Sequence, residues 1–168
     1  TYIPVDLDHE APSLEFGGMA ADAQQLPFAD NSMDVTFSSN LMEHVPTPSR
    51  VANELVRVTK PGGLIFIAYT NWASPWGGHE TSPWHWLGGR YAIRRYVRKH
   101  GHLPKNRVDE NLFKVSVRWG IEWSKDHPSF EIVECRPRYL PRWAQFIVHV
   151  PLVRELLTWN LLLVLRKY

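Results

Sequence analysis

The chain has 168 residues, 44% apolar, 12% aromatic and 21% charged, enough to bury one core and too few for two comfortable domains. Its 8 tryptophans and 13 prolines beside 10 glycines exclude a low-complexity or disordered chain, and its single cysteine, Cys135, excludes an internal disulfide or a thiolate zinc cluster and points to a reducing compartment, most simply the cytoplasm. The net charge of +2 hides an asymmetry: residues 1–60 hold 9 acids and 3 bases, whereas residues 61–168 hold 8 acids and 16 bases.

Tyr2 to Val5 reads as a strand with Asp6 at its carboxyl end, and Phe16 to Ala21 as a weaker strand ending at Asp22. Ala29-Asp30-Asn31-Ser32 is a turn by composition and leads into an extended segment, Met33 to Ser38, that stops at Ser39-Asn40. The clearest helix follows. Thr47 is a plausible N-cap, Pro48 suits the first helical position, Val51, Leu55 and Val58 share one face, and Lys60-Pro61-Gly62-Gly63 ends the helix. Leu64 to Tyr69 is an unbroken apolar run, expected to be a strand buried on both faces. This strand, helix, strand alternation indicates an α/β layered fold with right-handed crossovers.

Asn71 to Arg107 breaks the rhythm with a long Trp- and Gly-rich insertion, of the kind that forms a lid, a binding loop or a small helical subdomain. Within it Arg90, Arg94 and Arg98 share a helical face. That basic run is read first as a solvated face, then as a surface for an anionic substrate, a phospholipid surface or nucleic acid, in that order; no nucleic-acid motif accompanies it. Val115 to Lys125 is expected to be a helix, Phe130 to Cys135 a strand, Trp143 to Leu157 a helix bent at Pro151, and Asn160 to Leu165 a final strand. The start of the chain shows no targeting signal. Trp143 to Leu165 is too interrupted by polar residues to read as membrane-spanning.

Ligands of open α/β sheets sit at the carboxyl ends of the strands. Here those ends are Asp6, Asp22, Ser39-Asn40 and Thr70-Asn71, all polar. An ionised carboxylate only accepts hydrogen bonds, so one acid suits the hydroxyls of a ribose and the next an adenine amine; either could also be a solvated turn residue.

Val5-Asp6-Leu7, Ala21-Asp22-Ala23-Gln24-Gln25-Leu26-Pro27-Phe28, Asp30 to Val35, Ser38 to Val45, and Glu54 to Gly63 follow in order. The series resembles class I S-adenosylmethionine-dependent methyltransferases of the type 11 kind, over roughly Ile3 to Asn71. The remainder, especially Gly77-Gly78-His79-Glu80 and Tyr96 to His102, resembles a narrower actinobacterial group of uncharacterised methyltransferases. The resemblance implies a Rossmann-like α/β fold with a mostly parallel sheet, an antiparallel last strand and helices on both faces, and S-adenosylmethionine as cofactor. It also implies that Asp6 with Leu7 beside it holds the ribose, Asp22 the adenine amine and the Ala23 N–H an adenine nitrogen, with Ser39 and Asn40 near the methionine part. The family's first strand and Gly-rich loop have no counterpart, so residues 1–168 are expected to be the C-terminal portion of one domain, with a lid or acceptor insertion at about 71–111, binding the cofactor weakly by itself.

Methyl transfer needs an acceptor held in line with the methyl group and, for a hydroxyl acceptor, a group that takes its proton. The candidates are His44, Glu43 and Tyr69, with Asn71, Trp72, His79 and His85 toward the acceptor. For His44 the blander reading is an imidazole packed under the following helix, and for the tryptophans a subdomain core. Leu41 to Pro46 also resembles the ubiquinone-biosynthesis O-methyltransferases, in which an acid, a Glu and a His of this segment can hold a divalent metal; Asn40 stands here at the first acid position, and no metal is expected. The acceptor is expected to be a small molecule or lipid-linked, with no nucleic acid and with room for peripheral membrane contact. Two rivals remain: a non-catalytic methyltransferase-like partner domain, and a nicotinamide-dependent oxidoreductase, against which the Asp22 to Phe28 segment and the Lys60 to Gly63 turn argue.

Overall fold

The helical spacing of Val51, Leu55 and Val58 is realised as α1 (Pro48–Val58), which buries all three. The computed structural model describes every residue except Thr1, His9, residues 12–14, Phe16 and Asp126. Around α1 it places β1 (Val5–Asp6), β2 (Met19–Ala20), β3 (Met33–Ser39), β4 (Thr59–Thr70), α2 (Gly89–His100), α3 (Val117–Ser124), β5 (Phe130–Pro137), α4 (Val153–Leu157) and β6 (Asn160–Lys167).

Four strands form one sheet in the order β3-β4-β6-β5. β3 and β4 are parallel, and β6 is antiparallel to both of its neighbours, so the fold is α/β with a mostly parallel sheet and a reversed last strand. β1 and β2 form a separate parallel pair. Alternate residues of β4 and β6, namely Ile65, Ile67, Tyr69, Leu161, Leu163 and Leu165, enter the main core together with the apolar residues of α1 and α3. The opposite face carries only a small buried cluster of Ala68, Leu162 and Val164. Beside it Phe66, expected to be buried, is 37% exposed, and Phe37 on β3 is 53% exposed with Tyr2 stacked on it at 5.8 Å.

Several expected elements change form. The first strand pairs only over Val5–Asp6, and the second only over Met19–Ala20; its expected start at Phe16 lies outside the described residues. Thr47 occupies the N-cap of α1 without a side-chain capping bond. Lys60 pairs with Asp34 at 2.7 Å, and the cation at the helix C-terminus is instead Lys167, whose Nζ donates to the Val56 carbonyl at 2.7 Å. The single bent helix expected over Trp143 to Leu157 is a 3-10 helix, Arg142–His149, followed by α4, with Leu152 at a φ of 66° between them. The insertion is a subdomain of two 3-10 turns, His79–Thr81 and Trp84–Leu87, leading into α2. Arg90, Arg94 and Arg98 are exposed on α2, the solvated face expected first.

A clamp sequence reading did not single out ties α1 to the loop after β2. Arg57 donates to Glu54 through both Nε and Nη2 at 2.7 Å, to the Phe28 carbonyl at 2.8 Å, to the Leu26 carbonyl at 2.9 Å and to Asp30 at 2.6 Å. Glu54 also accepts the Leu26 N–H at 2.7 Å. The Arg57 hydrogen bonds hold the Glu54 carboxyl below its usual range against the opposing effect of burial. A depressed carboxyl pKa stabilises the fold above the unfolded value near 4.3 and loses that contribution as pH falls through the folded value. Glu54→Gln is therefore expected to cost about 1 kcal/mol at neutral pH. In chemical denaturation run from pH 7 down to pH 3, the gap between wild type and variant should close below about pH 4.

Candidate functional site

Tyr2 to Asp6 and most of β3, with the apolar face of α1, line a cavity of about 440 Å³ that reaches the carboxyl ends of both strands. Asp6, Ala23, Ser39 and Asn40, four of the residues expected at the cofactor, line it together with Leu41. Asp22 and Leu7 are not in the lining: Asp22 is exposed at the next strand end and Leu7 points outward at 71% exposure. Both acids are oriented by their own turns. Asp6 Oδ1 accepts the Asp8 N–H at 3.0 Å, and Asp22 Oδ1 accepts the Gln24 N–H at 2.8 Å. In each case acceptor capacity is left over, since a carboxylate has about four lone-pair sites.

Two groups from the far end of the chain hold the β3 side of the cavity, and nothing in local sequence marks them. Arg138 donates to Ser39 Oγ at 2.8 Å, and Asn160 Nδ2 donates to Asn40 Oδ1 at 2.8 Å. Asn40 itself has a φ of 55°, a left-handed conformation that Asn tolerates better than most residues. Its N–H donates to the Ala68 carbonyl at 2.8 Å, which pins the end of β3 to β4.

From Asn40 the chain enters a single 3-10 turn, Met42–His44, that carries two of the expected catalytic residues. Glu43 is 1% exposed; its Oε1 accepts the Thr70 N–H at 3.0 Å, and its Oε2 has no partner among the described residues. Burial raises the carboxyl pKa, and the Thr70 N–H counters it only in part. His44 is held by a 2.8 Å hydrogen bond between Nδ1 and the Asn111 carbonyl, which fixes Nδ1 as the protonated nitrogen and leaves Nε2 as the acceptor. His79 arrives from the insertion, with its ring edge-on to His44 at 5.1 Å. Its Nε2 is buried without a partner among the described residues, and burial, then the neighbouring His44, lowers its pKa, so the neutral imidazole is favoured. Donor atoms of Glu43, His44 and His79 all lie within 4.8 Å of one another. A carboxylate and two imidazoles gathered at one point can accept a proton or bind a cation. The expectation of no metal rested on Asn40; the structure adds a third donor, His79, from elsewhere.

The other expected residues do structural work. Tyr69 is fully buried and donates its hydroxyl to the Ser116 carbonyl at 2.7 Å beside Trp119, on the core face of the sheet, so the structure does not present it to an acceptor. Asn71 is likewise fully buried, with its amide donating to the carbonyls of Glu155 and Thr158 and its Oδ1 accepting the Ala73 N–H. These bonds fix the exit of β4 and leave no side for an acceptor. His85 is buried between Trp72 and Trp86 with its Nε2 at 3.0 Å from the Trp72 carbonyl. His85 and Trp72 thus pack together inside the insertion, whereas Trp76, Trp84 and Trp86 are exposed and do not form a buried subdomain core. Burial pushes the Cys135 thiol up to about 11, which keeps it in the neutral thiol form near neutral pH.

A family model described as a methyltransferase domain matches residues 5–67. A relative from Mycobacterium sp. (strain KMS), named an uncharacterized methyltransferase, is 47% identical over 98% of this chain and 67% of its own length. The chain belongs to this methyltransferase family. It spans 54–56% of the length of other mycobacterial relatives that match it. Among solved structures, a SAM-dependent methyltransferase from Methanosarcina mazei is similar with a TM-score of 0.57 at 17% identity, over 98% of this chain and 81% of that one. A geranyl diphosphate C-methyltransferase from Streptomyces coelicolor, solved with Mg2+, geranyl diphosphate and S-adenosyl-L-homocysteine, has a TM-score of 0.57 at 12% identity, over 99% of this chain and 62% of that one. At such identities the likeness is one of fold. S-adenosylmethionine is the methyl donor expected of the family.

The placement of Tyr69 in this methyltransferase can be checked without knowing the acceptor. Burial holds its phenol well above the usual value, so the neutral form stabilises the fold and that contribution fades as pH rises above about 10. The wild-type chain should contain a tyrosine whose phenolate absorbance appears only as the fold is lost in alkali. Tyr69→Phe should lack that signal and lose about 1 kcal/mol of stability at neutral pH. A tyrosine population that ionises uniformly near pH 10 in the native protein would return Tyr69 to an accessible site.

Proposed function

We propose that residues 1–168 form the C-terminal portion of a single S-adenosylmethionine-dependent methyltransferase domain that acts on a small-molecule or lipid-linked acceptor. The observation that carries this reading is the meeting of Asp6, Ala23, Ser39 and Asn40 at one cavity, at the carboxyl ends of β1 and β3. The donor set fits the nucleoside half of the cofactor. Asp6 retains acceptor capacity for a ribose diol, and Asp22 stands at the neighbouring strand end for the adenine amine. The bound cofactor supplies an activated methyl group on a sulfonium. The chain's own contribution is then to orient the acceptor and take its proton. Glu43, His44 and His79 are the groups gathered for that task, and His79 brings the insertion to them as the acceptor side.

The division of the sheet supports the view that a further strand completes the domain. β1 and β3 are not paired with each other, the cavity lies between them, and Val35 and Phe37 on β3 are exposed next to it. An unpaired strand edge with an apolar face is a site for another strand. The same observation favours a second reading, in which the chain is a non-catalytic partner that completes its sheet with another polypeptide. Among the described residues no helix is long and apolar enough to cross a membrane. Exposed Trp143, Phe146, Leu152 and Leu156 beside Arg142 are consistent with peripheral contact and a lipid-linked acceptor.

Calorimetric titration with S-adenosylmethionine of this chain beside a version extended by its natural upstream residues separates the two. Tight binding only in the extended version is the expected outcome, and tight binding by neither favours the partner reading. In the extended protein, Asp6→Ala should abolish cofactor binding and leave the circular dichroism unchanged; wild-type affinity in that variant would overturn the ribose assignment.

A further inference from the structure

The cluster of Glu43, His44 and His79 has the composition and the supporting contacts of a metal centre. A divalent cation bound at about 2.0–2.2 Å from imidazole nitrogens and a carboxylate oxygen draws its ligands to within roughly 3–4 Å of one another. The donor atoms here already lie within 4.8 Å, so about an ångström of side-chain movement would close them on one ion. Two of the three residues present buried atoms that no group among the described residues satisfies, Glu43 Oε2 and His79 Nε2. Leaving both unmatched is costly, because a buried polar atom without a partner carries its full desolvation penalty. A cation between them would satisfy both.

The outer contacts are those that metal ligands need. Ligating imidazoles use their second nitrogen on a carbonyl or carboxylate, and ligating carboxylates are themselves hydrogen-bonded. His44 uses Nδ1 on the Asn111 carbonyl at 2.8 Å, and Glu43 uses Oε1 on the Thr70 N–H at 3.0 Å. His79 is set by a turn with little freedom. A Cβ on Gly77 would lie 2.0 Å from the Trp72 carbonyl oxygen, and one on Gly78 2.5 Å from the His85 ring, so only Gly-Gly allows the chain to pass before His79 turns at a φ of 50°.

We propose that Glu43, His44 and His79 form a divalent-metal site of the two-histidine, one-carboxylate kind, with coordination positions left open. Two nitrogens and one oxygen suit zinc, manganese or iron(II), whereas magnesium and calcium prefer oxygen donors throughout. If the methyltransferase reading holds, an open position offers a place for an acceptor hydroxyl, whose proton a bound cation makes easier to remove. The metal site itself does not depend on that reading.

The test is made on the complete protein, stripped with a chelator and titrated with Zn2+ alone by calorimetry, with retained zinc counted after desalting. One zinc per chain is expected. Glu43→Gln, which keeps an oxygen for the Thr70 N–H, and His79→Asn, which tolerates the positive φ, should each weaken binding at least tenfold. His100→Asn with His102→Asn, an exposed histidine pair on and after α2, should leave it unchanged. Circular dichroism checks that each variant folds; should Glu43→Gln fail, His79→Asn decides. Absence of retained zinc, equal affinity in His79→Asn, or loss only in the His100 and His102 variant would each overturn the site. Since no cofactor is present in this titration, its failure is distinct from a failure to bind S-adenosylmethionine.

Discussion

The pairing of β6 with β4, from Leu64 opposite Arg166 to Thr70 opposite Asn160, is the contact on which the rest of this structure depends. It joins segments about a hundred residues apart and buries Leu161, Leu163 and Leu165 against the face that already holds Ile65, Ile67 and Tyr69. Its register matters as much as its area. A slip of one residue would turn these leucines to the other face. It would also remove Asn160 from Asn40 at one end of the strand and Lys167 from the C-terminus of α1 at the other. β5, carried on the outer edge of β6, leads to Arg138 and its bond to Ser39. The polar groups that shape the cavity at the end of β3 are therefore set by the last strand of the chain.

On the other side of β3 the sheet is divided. The Glu54 and Arg57 clamp holds the loop that carries Leu26 and Phe28 onto α1, so the β1-β2 pair is anchored to the main body through side chains and not through a strand ladder. The cavity occupies the intervening space, and its wall on β3 alternates apolar Met33, Val35 and Phe37 with Thr36 and Ser38. Anchoring by a charge-assisted hydrogen-bond network fixes the acidic strand ends near β3 while leaving room between them.

The insertion reaches the same end of the sheet. His85 is buried against Trp72, and the locked Gly-Gly turn packed on His85 delivers His79 to Glu43 and His44. Phe113 reinforces the approach, since its N–H donates to the Glu43 carbonyl at 2.7 Å, and Asn111 does so through His44. A long connection with packing of its own can place a side chain at a fixed point, which a loose loop cannot.

Local patterning was enough to read the start of α1 at Pro48, β3 and β4 in kind, α3 and the last two strands, and the acids at the ends of β1 and β2, because spacing, caps and breakers are local properties. The breakers at Lys60 to Gly63 predict a later end for α1, whereas the helix stops at Val58 and β4 already begins at Thr59. Asp6, Ser39 and Asn40 could be singled out for the same reason, since they sit at strand ends, where chain order implies a shared edge, whereas Ala23, Glu43 and His44 were reached through the family resemblance. The sequence by itself could not separate Tyr69, Asn71 and His85 from this group. Each is a polar residue at a plausible place, and only packing shows that it is buried with a side-chain hydrogen bond to a backbone carbonyl. Nor could it bring His79 to Glu43, or Arg138 and Asn160 to Ser39 and Asn40. Those contacts span 36 to 120 positions and follow from sheet register and from a locked turn, which are properties of the assembled fold.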